Sequence, residues 1–242
     1  VERSFVGMAE ISLVIEDIRD FRTGSLLIAG MPALALKFLP DVVAEFIAEE
    51  PGIAVSLRTR SSQAVLRHLS SQQFDLGFAT LDNDHPAVLR RPLFTGPMLA
   101  VLPPGHKLER KTVLEPKDFD QQPFIALGAE IGTRSETDAF LSLGDARPRI
   151  VAEAQLSASI CEMVAAGAGV SIVEPVTARH FAELGRCVVR PLSPAQPFRY
   201  DLLLPATRQP SRVAGQFLRL VNARFEAFPR LPSKLSSGQR HL

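Results

Sequence analysis

The sequence is poor in tryptophan, tyrosine and cysteine. Its 242 residues include no tryptophan, one tyrosine and only two cysteines, Cys161 and Cys187. Two cysteines cannot form a disulfide framework, so a reducing compartment is favoured. We therefore expect a cytoplasmic protein.

Long apolar runs and an excess of charge of one sign are also missing. No apolar stretch approaches the roughly 20 residues that a membrane-spanning helix needs, and no charged-then-apolar secretory signal opens the chain. The net charge is +1, which gives little attraction to nucleic acid or to a membrane surface. We expect no membrane partner.

The motifs of catalysis, phosphate binding and metal ligation are absent as well. The chain has neither a G-x-S-x-G nucleophile elbow nor a G-x-x-x-x-G-K-[ST] phosphate loop. The pair Gly167 and Gly169 lacks the third glycine of a dinucleotide fingerprint, because position 172 is isoleucine. The five histidines show no metal-ligand spacing. We predict a protein that is not an enzyme, with no catalytic residue, no cofactor and no metal.

The clearest pattern that is present is a strand–helix–strand unit in the first quarter of the chain. Leu26–Ala29 reads as a buried strand, and apolar residues then recur at helical spacing from Ala35 to Ile47. Pro51 and Gly52 end that helix, and Ile53–Leu57 is the next strand. A right-handed unit of this length implies a parallel sheet.

Parallel sheets bind ligands where their strands end and the following helices begin. That rule places a candidate site at Met31–Leu34, which includes Pro32 and Ala33, and at Arg60–Gln63. The second segment combines free N–H groups, the hydroxyls of Ser61 and Ser62, and the cation of Arg60, which suits a carboxylate. Helix capping by either serine explains the same residues equally well.

Other loop residues have two readings each. Thr80 ends a strand and is either a turn residue or part of the site, while Ser157 is a candidate to cap its helix and also to face a ligand. Glu174 ends a buried strand and is either a cap or the partner of a cationic group. A capping box at 133–136 predicts the start of another helix, and Glu130 and Arg134 lie in the loop and first turn there. Both are either exposed surface or ligand contacts.

The whole chain reads as two Rossmann-like α/β lobes joined by two crossover strands. We assign residues 24–102 and 203–230 to lobe I and residues 103–202 to lobe II, with crossings at Leu102–Pro103 and at Leu202–Leu204. Residues 1–23 read as the end of an amphipathic linker helix, and residues 231–242 as a disordered tail. Two crossings permit closure over a ligand between the lobes.

Five segments, in this order, give the chain a family resemblance. They are GSLLIAG, FLPDVVAEFIAEEPGIAVSL, FDLGFA, AVLPPGHKL and MVAAGAGVSIVEP. Together they resemble the effector-binding region of LysR-type transcriptional regulators, and most of all the branch that includes the LysR and opine-responsive regulators. The resemblance covers essentially residues 1–228.

The resemblance implies a periplasmic-binding-protein-like fold of type 2 with a small amino-acid-like co-inducer, an amino acid or an opine, in the inter-lobe cleft. It implies a homodimer or homotetramer that binds DNA only through an N-terminal winged helix-turn-helix, which we expect outside this sequence. The ligand-binding positions that it implies are Met31, Pro32, Ala33, Arg60, Ser61, Ser62, Thr80, Gly128, Glu130, Arg134, Ser157 and Glu174. The alternative is a solute-binding receptor of a transport system, which shares the architecture.

Overall fold

A computed structural model describes residues 24–129 and 131–228. Residues 1–23, Glu130 and residues 229–242 lie outside the described residues, and with them the predicted linker helix and tail. The strands are β1 Ser25–Gly30, β2 Ala54–Thr59, β3 Leu76–Ala79, β4 Val88–Pro97, β5 Leu99–Leu102, β6 Pro123–Leu127, β7 Arg149–Ala154, β8 Ser171–Val173, β9 Val188–Pro191 and β10 Pro197–Pro205. The helices are α1 Pro32–Ala35, α2 Phe38–Glu49, α3 Ser62–Ser70, α4 Gly132–Ser142, α5 Ser157–Ala165, α6 Pro175–Glu183 and α7 Arg212–Glu226. None of the helices in the described ranges is long and apolar enough to span a bilayer.

The described residues divide into two compact units. The first contains residues 24–31, Leu39–Arg91 and Leu202–Arg224, and the second contains Pro32–Phe38, residues 92–201 and residues 225–228. Strands β4 and β10 each run from one unit into the other, in agreement with the predicted architecture of two lobes joined by crossover strands. The first boundary follows Arg91 and not Leu102, so the turn at Pro103 lies inside the second unit.

The first unit is built on the predicted parallel sheet. Its five strands follow the order β2-β1-β3-β10-β4, and β1 pairs in parallel with both β2 and β3. Helix α7 closes its core with Phe217, which meets Phe46 edge-on at 5.5 Å and Phe78 at 6.4 Å between ring centroids. All three rings have no exposed surface. Burial of each such side chain contributes roughly 1.5–3 kcal/mol to folding.

The second unit contains a three-stranded antiparallel sheet of order β8-β5-β9 and the parallel pair β6-β7. A bridge between Phe124 and Val170 joins the two. Its core packs α5 and α6 against the strands and includes Ile125, Ile160, Val164 and Phe181. Both cysteines belong to this core, so they act as small apolar side chains.

Two glycines give a matched test of this packing. A Cβ atom on Gly169 would lie 2.6 Å from the carbonyl oxygen of Pro123, whereas a Cβ atom on Gly215 in α7 would meet no atom within 4 Å. We expect Gly169→Ala to lower the free energy of unfolding by about 1–3 kcal/mol, because the backbone of β6 must move. Gly215→Ala should raise it by about 0.5–1 kcal/mol through helix propensity. Chemical denaturation measures both, and equal effects of the two changes would contradict the packing described here.

Candidate functional site

In the first unit, three of the predicted site residues stand at one edge of the parallel sheet. Met31, Arg60 and Thr80 follow directly after β1, β2 and β3, whose carboxyl ends share that edge because the strands are parallel. The N–H of Met31 donates to the carbonyl of Phe78 at 2.8 Å, and that of Arg60 donates to the carbonyl of Gly30 at 2.9 Å. The strand ends are therefore fixed relative to one another by backbone hydrogen bonds.

The first turn of α3 joins this edge. Ser61 is the N-cap of α3, as one of its two readings predicts, and its Oγ accepts from the N–H of Ala64 at 3.4 Å. The Oγ of Ser62 accepts from the N–H of Thr80 at 3.2 Å, and the hydroxyl of Thr80 contacts the sulfur of Met31 at 3.6 Å. The structure thus brings together Met31, Ser61, Ser62 and Thr80 within one unit.

This arrangement has the chemistry of an anion site. The first N–H groups of an α-helix have no partner inside the helix and carry the positive end of its dipole. At the start of α3, the hydroxyl groups of Ser61 and Ser62 lie beside these N–H groups. Arg60, which precedes the two serines, is exposed. One guanidinium nitrogen of Arg60 donates to the carbonyl of Thr59 at 2.9 Å, and the group carries five N–H donors in total. A carboxylate is the natural ligand of such a set.

In the second unit, Gly128 and Arg134 tie strand ends together. The N–H of Gly128 donates to the carbonyl of Ala154 at 3.0 Å, which links the ends of β6 and β7. The guanidinium of Arg134 donates to the carbonyl of Leu127 at 2.7 Å and to the carboxylate of Glu153 at 2.9 Å. The hydrogen bond with Glu153 is the main cause that raises the pKa of Arg134. Arg134 therefore anchors α4 to both strands, and contact with a ligand stays a prediction for it.

Two of the capping arrangements considered for this unit, those of α4 and α5, are not formed. Helix α4 begins at Gly132 and its N-cap, Ile131, makes no side-chain cap, so Thr133 lies inside the helix. The reason is a backbone turn, in which the N–H of Ile131 donates to the carbonyl of Gly128 at 3.0 Å before the helix starts. Ser157 is likewise the first helical residue of α5 and not its cap, which is Leu156.

The predicted site residues Pro32 and Ala33 are the first two residues of helix α1, which lies next to α6.

Glu174 is the N-cap of α6 and is buried. Its Oε2 accepts from the N–H of Thr177 at 3.0 Å and from the hydroxyl of Tyr200 at 2.7 Å. Burial is the largest influence on this carboxyl group and raises its pKa. No local pattern indicates Tyr200 as its partner, although it is the only tyrosine in the chain.

The cysteines do not form a reactive or metal-binding pair. The thiol of Cys187 donates to the carbonyl of Cys161 at 3.4 Å, and burial raises the pKa of Cys187 to about 11 and that of Cys161 still further. Over residues 24–129 and 131–228, no group of His, Cys, Asp and Glu side chains could hold a metal ion. These thiols remain protonated at neutral pH and serve the core.

Comparison with known proteins places the chain among bacterial regulators. Residues 19–226 match the family described as LysR substrate binding domain. The regulatory protein NocR of Agrobacterium tumefaciens is 32% identical over 95% of this chain and 76% of its own length. The transcriptional activator LysR of Escherichia coli is 33% identical over 98% of this chain and 75% of its own length. The octopine catabolism/uptake operon regulatory protein OccR of Rhizobium meliloti is 30% identical over 90% of this chain and 71% of its own length.

Solved structures share the fold. The regulatory domain of CcmR from Synechocystis, in complex with 2-PG, has a TM-score of 0.72 and 20% identity over 85% of this chain and 99% of that one. The effector-binding domain of QuiR, in complex with shikimate, has a TM-score of 0.67 and 16% identity over 85% and 98%. The fold is therefore the predicted two-lobed, periplasmic-binding-protein-like one. The chain belongs to the LysR substrate binding domain family and hence to the LysR-type transcriptional regulators.

Proposed function

We propose that the small molecule sensed by this domain is an amino-acid-like co-inducer, either an amino acid or an opine. The polar cluster at the first turn of α3, which fits a carboxylate, is the observation that carries this proposal. The relationship to OccR, whose name assigns it to octopine catabolism and uptake, supports it. An opine is an amino-acid conjugate and presents such carboxylates.

The carboxylate would bind at the start of α3. The N–H groups of Ser62 and Gln63 and the hydroxyls of Ser61 and Ser62 would donate to it, while Arg60 would add a long-range attraction. Charge-assisted hydrogen bonds of this kind are about twice as strong as neutral ones. Ser62 would act in two ways, because its Oγ also accepts from the N–H of Thr80 and so fixes the neighbouring loop.

A panel of ligands tests this proposal by thermal shift. A ligand that binds only the folded state at about 100 times its dissociation constant stabilises it by roughly 2.7 kcal/mol. We expect basic amino acids or octopine-type conjugates to raise the melting temperature, and the matching amides, which lack the carboxylate, to have no effect. Equal shifts with acids and amides would refute the carboxylate site.

We also propose the wider setting of the domain. It would act in the cytoplasm and would not be an enzyme. A separate winged helix-turn-helix would contact DNA on its behalf. The curated relatives are regulatory proteins, which supports this setting over the solute-binding receptor that shares the fold.

Self-association as a homodimer or homotetramer is part of the same proposal. Among the described strands, β7 pairs only with β6, and it exposes Ile150 and Val151 at 47% and 45% of their surface. An open strand edge with exposed apolar side chains invites another chain, and two-fold assembly is the commonest solution.

A charge on this edge should break the association. We expect Val151→Lys to lower the sedimentation coefficient at tens of micromolar, roughly the range for a moderate interface. Leu143→Lys is the matched control, since Leu143 is even more exposed, at 67%, and lies at the end of α4. A parent protein that sediments as a monomer would contradict the proposal, as would a Val151→Lys variant that associates as the parent does.

A further inference from the structure

Glu174 is a carboxyl group enclosed in the second unit. Only 3% of its surface is exposed, and the residues on either side, Val173 and Pro175, are buried too. One carboxyl oxygen, Oε2, accepts the two hydrogen bonds from Thr177 and Tyr200. The other, Oε1, is buried and has no hydrogen-bond partner among the described residues.

Two titratable groups that interact with Glu174, a phenol and a thiol, carry no charge at neutral pH. From β10 it is faced by the phenol of Tyr200, whose ring packs against Phe198 at 4.8 Å and Phe94 at 6.2 Å. Burial is the main cause that raises the pKa of the Cys161 thiol on α5, and the charge of Glu174 raises it further. Burial also raises the pKa of the Tyr200 phenol. Burial raises the pKa of Glu174, and the hydrogen bonds that oppose it come from the side chain and N–H of Thr177, from Tyr200 and from the N–H of Val176.

An ionised carboxylate in such a place would be costly. Charges are normally buried only with a partner that compensates the lost hydration. In ionised Glu174, Oε1 would carry negative charge without a hydrogen-bond partner among the described residues. The hydrogen bonds to Oε2 and the N-terminus of α6 favour the ionised form, but burial outweighs them. A proton on Oε1 removes the charge and leaves both hydrogen bonds to Oε2 in place.

We propose that Glu174 is a neutral carboxylic acid in the folded domain, with the proton on Oε1, and that its ionisation at higher pH loosens the junction of β8, α6 and β10. The junction is a proton-linked element of the second unit. It is independent of the proposed effector site, whose residues at the start of α3 belong to the first unit.

The sign of the pH dependence follows from linkage. Burial raises the pKa of Glu174 in the folded state above the value of about 4.3 for an exposed glutamate. The folded state therefore binds this proton more tightly than the unfolded state does. The stability that the protonated group contributes is complete below the unfolded pKa and is lost as the pH rises through the folded pKa.

Thermal unfolding of the whole chain against pH tests the proposal. Glutamine at position 174 keeps an acceptor for Tyr200 and Thr177 but cannot ionise. We expect the melting temperature of Glu174→Gln, relative to the parent, to increase by roughly 2–4 °C or more between about pH 5 and about pH 8. Glu183→Gln is the matched control, because Glu183 lies on the same helix and is exposed. The difference in melting temperature between Glu183→Gln and the parent should stay constant over the same pH range. A constant difference for Glu174→Gln would overturn the proposal.

Two further measurements distinguish a protonated Glu174 from a purely structural effect of the substitution. In the infrared difference spectrum between the parent and Glu174→Gln at neutral pH, we expect the carbonyl band of a carboxylic acid, and a carboxylate band in its place would overturn the proposal. Tyr200→Phe keeps the ring but removes the hydroxyl that favours ionisation. Its melting temperature should fall further below that of the parent as the pH rises, and a gap that does not change with pH would count against the proposal.

Discussion

Alanine at Ser61 or at Ser62 is expected to weaken effector binding about tenfold to more than a hundredfold, since each change removes a charge-assisted hydrogen bond worth roughly 1.5–3 kcal/mol. The effect at Ser62 should be the larger. Its Oγ also accepts from the N–H of Thr80 at 3.2 Å, so the change frees the loop after β3 as well. Titration calorimetry with the ligand found by thermal shift measures both variants.

Stability separates binding from capping. Loss of the Ser61 cap should lower the free energy of unfolding by about 1 kcal/mol, far too little to unfold the domain. Ser71→Ala is the matched control, because Ser71 stands at the opposite end of α3, where its hydroxyl donates to the carbonyl of Arg67. Ser71→Ala should bind as the parent does. If both Ser61→Ala and Ser62→Ala also bind as tightly as the parent, the serines only cap and position, and the carboxylate lies elsewhere.

Removal of the Phe217 ring is expected to have the largest effect on stability. Phe217 has no exposed surface and touches Phe46 of α2 and Phe78 of β3. Phe217→Ala should lower the free energy of unfolding by about 3–5 kcal/mol, because it loses the transfer energy of the ring and leaves a cavity. Urea denaturation followed by circular dichroism measures this loss.

Two variants bracket that result. Phe217→Leu fills much of the same volume and should cost clearly less than the alanine change. Arg219→Ala changes an exposed residue on the same helix and should have an effect within about 0.5 kcal/mol. A loss for Phe217→Ala no greater than that for Arg219→Ala would show that α7 does not close the core of the first unit.

Local patterns in the sequence predicted the parallel sheet because buried strands and amphipathic helices leave strong periodic signals. The same periodicity missed one break. Apolar spacing joined Ala35 to Phe38 in a single helix, but the structure has α1 end at Ala35 and α2 begin at Phe38. Pro40 explains the break, since it has no N–H to donate to the carbonyl of Leu36 and its ring would collide with that carbonyl. In the first turn of α2 the missing N–H of Pro40 has no cost, because N–H groups there have no partner inside the helix.

The candidate site was predictable to the extent that it lies at strand ends. Met31, Arg60 and Thr80 follow strands that could be read from the sequence, so their common edge followed from the parallel arrangement. The partners of Glu174 and Arg134 could not be read in this way. Tyr200 lies 26 positions from Glu174, and Glu153 lies 19 positions from Arg134. Tertiary packing decides such pairs, and no local period in the sequence encodes them.

Nuclear magnetic resonance can show whether a carboxylate binds at the first turn of α3. Backbone amide shifts of the ¹⁵N-labelled protein would be followed while the ligand selected by thermal shift is added. We expect the largest changes at Ser62, Gln63 and Thr80, with downfield movement of the amide protons that donate to the carboxylate, and little change at Asp75 or Ser211. Shifts that leave Ser62 and Gln63 untouched while the ligand saturates the protein would contradict binding of a carboxylate at this turn.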